Sequence, residues 1–199
     1  MMQTPRRFVL SCLLVLASLL APVGSQAATN CGNPNRDGKT IGKIVVGKVA
    51  VDVKSVTYPA GGELAPPRSP LNAGVSARHN PLSADFGSSV IVWHINYDGC
   101  IGKLDVINKK PVGYTFRVTD EKGQTVKYAI SAKYVVPKGK YKPEWFLLSG
   151  PRQLTMITCT GKVVNRHYVD NLVIIATPVA PAVSTSPSSA PSPSSSPSN

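Results

Sequence analysis

The sequence predicts a mostly β protein folded as one closed or nearly closed barrel of seven or eight short strands. Three observations predict it. Runs of alternating or β-branched residues recur along the chain, as in Val49-Ala-Val-Asp-Val53, Ser89-Val-Ile-Val92 and Asn171-Leu-Val-Ile-Ile-Ala176. Turn residues such as Asp120-Glu-Lys-Gly123 separate them at short intervals. No amphipathic helix of any length follows the first 28 residues. With 199 residues and 42% hydrophobic content, the chain can bury a sizeable core in one domain.

The first element is a targeting segment. Arg6 and Arg7 precede an apolar run over residues 8–21, and small residues near Ala27 offer cleavage sites. Residues 1–28 therefore read as a secretion signal. Left uncleaved, the run is an N-terminal anchor of marginal length for a full span. Residues 29–40 are polar, with turn signals, and read as a tether. The barrel is expected over residues 41–178. Residues 179–199 are Ser, Pro, Ala and Thr with little else, a composition that cannot bury a core.

Within the barrel, residues 41–56 carry valines in near-alternation and bend at Gly47, giving one or two strands. Residues 57–88 hold five prolines and four glycines, which argues for a long surface excursion with neither a long helix nor a central strand. His79 within it reads as a solvated loop histidine. Ser89 to His94 forms a short buried strand ending on a histidine. Residues 96–102 form a turn-rich loop containing Cys100. Residues 113–119 and 125–136 form a hairpin, and residues 144–148 a single helical turn. Gln153-Leu-Thr-Met-Ile-Thr-Cys-Thr-Gly161 is a half-buried strand that Gly161 breaks just after Cys159.

Charge and cysteines set the chemistry. The net charge is +12, which suits nucleic acid, anionic wall polymers and membrane headgroups alike. Export excludes nucleic acid and leaves a membrane surface or anionic wall polymers. The expected location is exported, at the extracellular face of the membrane or in the cell wall. Of four cysteines, Cys12 leaves with the signal, so three remain in an oxidising compartment. The economical pairing joins Cys31 to Cys100 and leaves Cys159 free. A bridge from Cys159 to another cysteine, such as Cys100, or three unpaired thiols, are the alternatives. A free exported thiol is a candidate nucleophile, and His94, also at a strand end, is the candidate base.

Several stretches resemble the sortase family of cysteine transpeptidases. Thr155-Met-Ile-Thr-Cys159 resembles the end of its nucleophile strand, and Ser89-Val-Ile-Val-Trp-His94 the strand that carries its histidine. Tyr168-Val-Asp-Asn-Leu-Val-Ile-Ile-Ala176, Val49-Ala-Val-Asp-Val53, Gly62-Glu-x-x-Pro-Pro67 and Gly87-Ser-Ser-Val90 are most similar to the actinobacterial class F members. Together they span residues 41–177. The resemblance implies a closed eight-stranded barrel and no cofactor or metal. It implies that Cys159 attacks the Thr–Gly carbonyl of a Leu-Pro-x-Thr-Gly sorting signal. His94 then serves as general acid and base, and an amine from a cell-wall precursor or another protein resolves the thioacyl-enzyme. The partners implied are proteins bearing C-terminal sorting signals, and that amine acceptor.

The chain departs from the family pattern in places. Trp93 stands where the family usually has glycine, and is assigned with Thr158 to the substrate cleft. Asn171 stands where many members carry the oxyanion-stabilising arginine. Arg166 is the expected replacement, and Arg152 a more distant one. His167 has no matching role and reads as surface. Two other readings remain. One is an exported β-barrel binding module without activity. The other is an L,D-transpeptidase with Cys100 as nucleophile, from a faint echo in Asp98-Gly-Cys-Ile101.

Overall fold

The computed structural model describes residues 31, 33–57 and 64–180. The secretion signal and nearly all of the Ser/Pro tail lie outside these residues. Eight strands close a barrel in the order β1-β2-β3-β4-β9-β10-β8-β7. They are β1 (Thr40–Val46), β2 (Val49–Val56), β3 (Ala73–Ser76), β4 (Ser88–Val92), β7 (Thr115–Thr119), β8 (Thr125–Pro137), β9 (Gln153–Val164) and β10 (His167–Pro178). A separate two-stranded ribbon, β5 (Asn96–Tyr97) and β6 (Cys100–Ile101), stands beside the barrel. Three 3-10 helices complete the fold: Pro34–Asp37, Lys103–Lys109 and Pro143–Phe146. The predicted fold class, mostly β with a closed eight-stranded barrel, is the one observed.

Alternation decides which side chains go where. Ile44, Val53, Ile91, Trp93, Leu154, Met156 and Ile174 project into the barrel and form its core. On one wall the opposite face is buried too. Val90 and Val92 of β4, Ile157 of β9 and Val173 and Ile175 of β10 pack there under Trp145. This doubly buried wall explains why β4 and β10 read as continuous apolar runs. It also makes the floor of the cleft described below.

The structure departs from the sequence expectations in four elements. The excursion over residues 57–88 contains β3, a central strand, parallel to β2 and antiparallel to β4. Its residues Ala-Gly-Val-Ser are short and carry no alternating signature. Their smallness is what the site requires. A Cβ on Gly74 would meet Val56 Cγ1 at 2.6 Å. β9 does not end at Gly161 but continues to Val164, because Gly161 takes a left-handed φ of +83° within the pairing with β10. Cys159 is thus mid-strand, not at a tip. Residues 103–109 form an unexpected 3-10 helix that buries Leu104 and Ile107.

The tether is also more ordered than a tether need be. Asn33 caps the Pro34–Asp37 turn, its side-chain oxygen accepting from Asn35 N at 2.9 Å. Past that turn, the Gly38 carbonyl and Thr40 Oγ1 accept from Lys54 Nζ at 2.8 and 2.9 Å. Lys54 is 3% exposed, so these bonds replace the water its ammonium loses. Cys31 is disulfide-bonded to Cys100, across 69 residues. In the chain-entropy description, a loop of that size is worth about 4 kcal/mol.

Candidate active site

Register sets the strands that lead to the two chemistry-bearing residues side by side. β4 runs parallel to β9, with Val92 opposite Ile157. Both side chains lie on the outer face. Two residues further along stand Cys159, still within β9 and on that same face by the period of two, and His94, two residues past the end of β4. β10 runs antiparallel to β9 and sets Asn171 directly opposite Cys159. Thiol and amide thus occupy adjacent positions across one wall, and the imidazole follows the end of the neighbouring strand.

A cleft of about 710 Å³ lies over this wall. Val92 and Ile157 form its floor, with Leu64 and Pro66 on one side and Tyr141 and Phe146 on the other. Cys159 and Asn171 line it. Cys159 is half-buried and outside any disulfide. The Asn171 amide donates from Nδ2 to Tyr141 Oη, which also lines the cleft. An amide NH2 has two protons, so one remains for a second acceptor.

His94 itself is not among the residues that line the cleft, although Trp93 before it is. The His94 ring stacks on Tyr97, centroids 4.5 Å apart. Burial pushes the imidazole below its ordinary pKa, and the Pro67 carbonyl and the Asp37 carboxylate pull it partly back. The neutral ring is therefore favoured near neutral pH. Gly102 lets the chain pass close by: a Cβ there would sit 1.7 Å from the His94 carbonyl oxygen.

Of the other residues singled out in the sequence, Trp93 and Thr158 line the cleft and Arg166 does not. Trp93 borders the cleft, but it is 0% exposed and packs into the barrel core. It cannot narrow the cleft with its indole as a glycine replacement was expected to do. Its ring N–H has no partner among the described residues. Thr158 is 3% exposed, and its hydroxyl donates to the Trp93 carbonyl at 2.8 Å. It ties β9 to the end of β4 just before His94.

Arg166 does not reach the cleft. It sits exposed with Asn165 in the two-residue turn joining β9 to β10, both with positive φ. That turn is about 20 Å along the strand from Cys159. Arg152 is bound to Asp85 at 3.0 Å and to the Leu82 carbonyl at 2.7 Å. The cations that do line the cleft are Arg78 and Lys138, from the loops after β3 and β8. Sequence offered no signal for either. His79 also lines the cleft rather than standing in solvent, packed against Phe146 at 5.7 Å. Cys100 is 3% exposed and bonded to Cys31, so its sulfur is not available as a nucleophile. This overturns the L,D-transpeptidase reading.

Among the described residues, no group of three or more His, Cys, Asp or Glu could hold a metal ion. None of the described helices is long and apolar enough to cross a membrane.

The closed eight-stranded barrel with an apolar cleft over one wall defines the fold class. The sortase domain family matches residues 49–179, and the chain belongs to that family. Solved structures agree on the fold. Sortase A from Corynebacterium diphtheriae is similar at a TM-score of 0.56 and 20% identity, covering 73% of this chain and 63% of that one. This chain thus spans under two thirds of that protein's length. Sortase C-1 from Actinomyces oris is similar at 0.55 and 22% identity, covering 72% and 76%. Group B Streptococcus Pilus Island 1 sortase C2 is similar at 0.54 and 19% identity, covering 72% and 76%. No curated protein matches the sequence.

Proposed function

We propose that the protein is a cysteine transpeptidase that cleaves a sorting signal of the Leu-Pro-x-Thr-Gly type and passes its acyl half to an amine. The observation that supports this reading is the parallel β4–β9 register, which sets Val92 opposite Ile157, each two residues before His94 and Cys159, beside an apolar cleft that Cys159 lines. His94 takes the proton of the Cys159 thiol, and the thiolate attacks the Thr carbonyl carbon. The tetrahedral oxyanion collapses as the Thr–Gly C–N bond breaks, and the His94 imidazolium protonates the leaving amine. A thioester to Sγ remains. An incoming amine attacks it, gives its proton to His94, and expels the thiolate.

Oxyanion stabilisation is assigned to the Asn171 amide, backed by Tyr141, in place of an arginine. Arg166 is withdrawn from that role because it sits at the hairpin turn. The acceptor is an amine of a cell-wall precursor or of another protein. The +12 charge suits work at an anionic wall or membrane surface. The finer class F resemblance remains part of this proposal.

The test is mass spectrometry of the non-reduced protein incubated with a Leu-Pro-x-Thr-Gly peptide. The expected product is a thioacyl adduct on Cys159, released by hydroxylamine and absent from Cys159→Ser. The uncharged oxyanion position favours one rival, a barrel that binds peptide without cleaving it. Peptide binding unchanged in Cys159→Ser, with no adduct in the wild type, would select that rival.

A further inference from the structure

Among the described residues, the β5–β6 ribbon has no partner strand in the barrel, yet it touches the histidine. β4 ends at Val92, so the strand ladder stops two residues before His94. A tight hairpin follows. Asn96 pairs with Ile101 and Tyr97 with Cys100, around Asp98 and Gly99. Both turn residues have positive φ, 50° and 76°, as a two-residue hairpin loop favours. Gly102 N donates to the Ile95 carbonyl at 2.9 Å and closes the hairpin at its base. This fold-back lays the Tyr97 ring on the His94 imidazole, centroids 4.5 Å apart and planes 27° from parallel. Tyr97 is 50% exposed, so no core packing demands an aromatic ring there.

A two-stranded hairpin by itself is marginally stable in water. The position of this one therefore depends on ties to its surroundings. Cys100, opposite Tyr97, is disulfide-bonded to Cys31 of the tether. Asn96 Nδ2 donates to Tyr168 Oη of β10 at 2.8 Å. Just past the ribbon, Lys103 N donates to the Pro70 carbonyl at 2.8 Å. The ribbon is thus fastened to the tether, to β10 and to the segment before β3.

We infer that Tyr97 is a positioning residue for His94, and that the Cys31–Cys100 disulfide sets the ribbon that delivers it. The inference rests on the reading of His94 as the acid–base partner of Cys159. A stack uses the face of the imidazole and neither ring nitrogen. Both nitrogens lie in the ring plane, so this contact leaves them to hydrogen bonding and proton transfer. Fixing the plane fixes the direction in which they point. His94 lies past the ladder and needs such a hold, whereas Cys159 is set by its place within β9. The tether thereby acts on the chemistry at one remove, through a covalent bond to the residue opposite Tyr97.

The experiment is proton–carbon correlation NMR of histidine-labelled protein, joined to the rate of Cys159 alkylation by iodoacetamide and to peptide cleavage. In the wild type, the Tyr97 ring current should shift the His94 ring protons upfield. Tyr97→Leu should abolish that shift and leave His79 and His167 unmoved. Alkylation of Cys159 should slow about tenfold, because the thiolate depends on its imidazole. Peptide cleavage should lose about tenfold to a hundredfold in kcat with KM little altered. Tyr97→Phe keeps the stack and should match the wild type in all three. The double variant Cys31→Ser with Cys100→Ser should weaken the upfield shift without abolishing it, because Asn96 still ties the ribbon to β10. Should that variant fail to fold, Asn96→Ala loosens the ribbon from the other side and should weaken the shift likewise. Alkylation unchanged in Tyr97→Leu would overturn the positioning role, as would a Tyr97→Phe as impaired as Tyr97→Leu. A full upfield shift in the double variant would overturn the role of the disulfide. Resonance and alkylation need no substrate, so they judge Tyr97 even if the thioacyl adduct never forms.

Discussion

The β4–β9–β10 wall and the N-terminal strap, residues 33–38 gripping the segment 64–72, are held in place by different means. The wall sets Cys159 opposite Asn171, and His94 beyond Val92, through backbone ladders. A ladder is indifferent to side chains, so substitutions on it change chemistry and leave the geometry standing. The strap holds its turn with one carboxylate, one buried asparagine and one disulfide. Losing any of these changes geometry first. The same site is thus robust on one side and dependent on single residues on the other.

The sharpest separation comes from Cys159→Ser. On the proposed function it should lower peptide cleavage by about 10⁴-fold or more, with the melting temperature nearly unchanged. A large loss of stability instead would mean the wall depends on its side chains and would blur the contrast. Removing the disulfide with Cys31→Ser and Cys100→Ser should do the reverse. Denaturant titration should show about 4 kcal/mol lost, with the Cys159 thiol still reactive to alkylation.

Asn171→Ala probes the wall once more. It should cost about 10²-fold in kcat, as for loss of an oxyanion donor, with little effect on folding. If kcat is unchanged, the oxyanion is held by something other than Asn171.

The smallest effect is on pH and stability. Burial lowers the pKa of both His94 and His79 from 6.5. The unfolded chain then binds protons more tightly than the folded one. Stability is therefore full above about pH 6.5 and declines as pH falls through the folded-state values. Chemical denaturation at pH 7.5 and pH 5.5 should show the loss, and His94→Gln with His79→Gln should flatten it. An equal loss in that double variant would assign it to carboxylates.

Much of this was legible in the chain before folding. The alternation of residues 153–159 and the apolar run before His94 marked two strands that lead to a thiol and an imidazole, although the first continues past its cysteine. β3 was not legible, because Ala-Gly-Val-Ser is chosen for lack of bulk under Val56 and carries no period. Nor was the fate of Arg166. Its nearness in sequence to Cys159 suggested a role, yet an extended hairpin carries residues apart at about 3.3 Å per step.

By itself the sequence determined what local rules can encode: strand periodicity, turn positions, an odd cysteine, and the residue types able to form a thioester. Only the tertiary structure decided which of them meet. The pairing of Cys31 with Cys100, the bond from Asp37 to a turn thirty residues on, and the partnership of Asn171 with Tyr141 are all contacts between distant segments. No local pattern records such contacts. They exist because closing the barrel leaves each strand only one register in which its apolar face is buried.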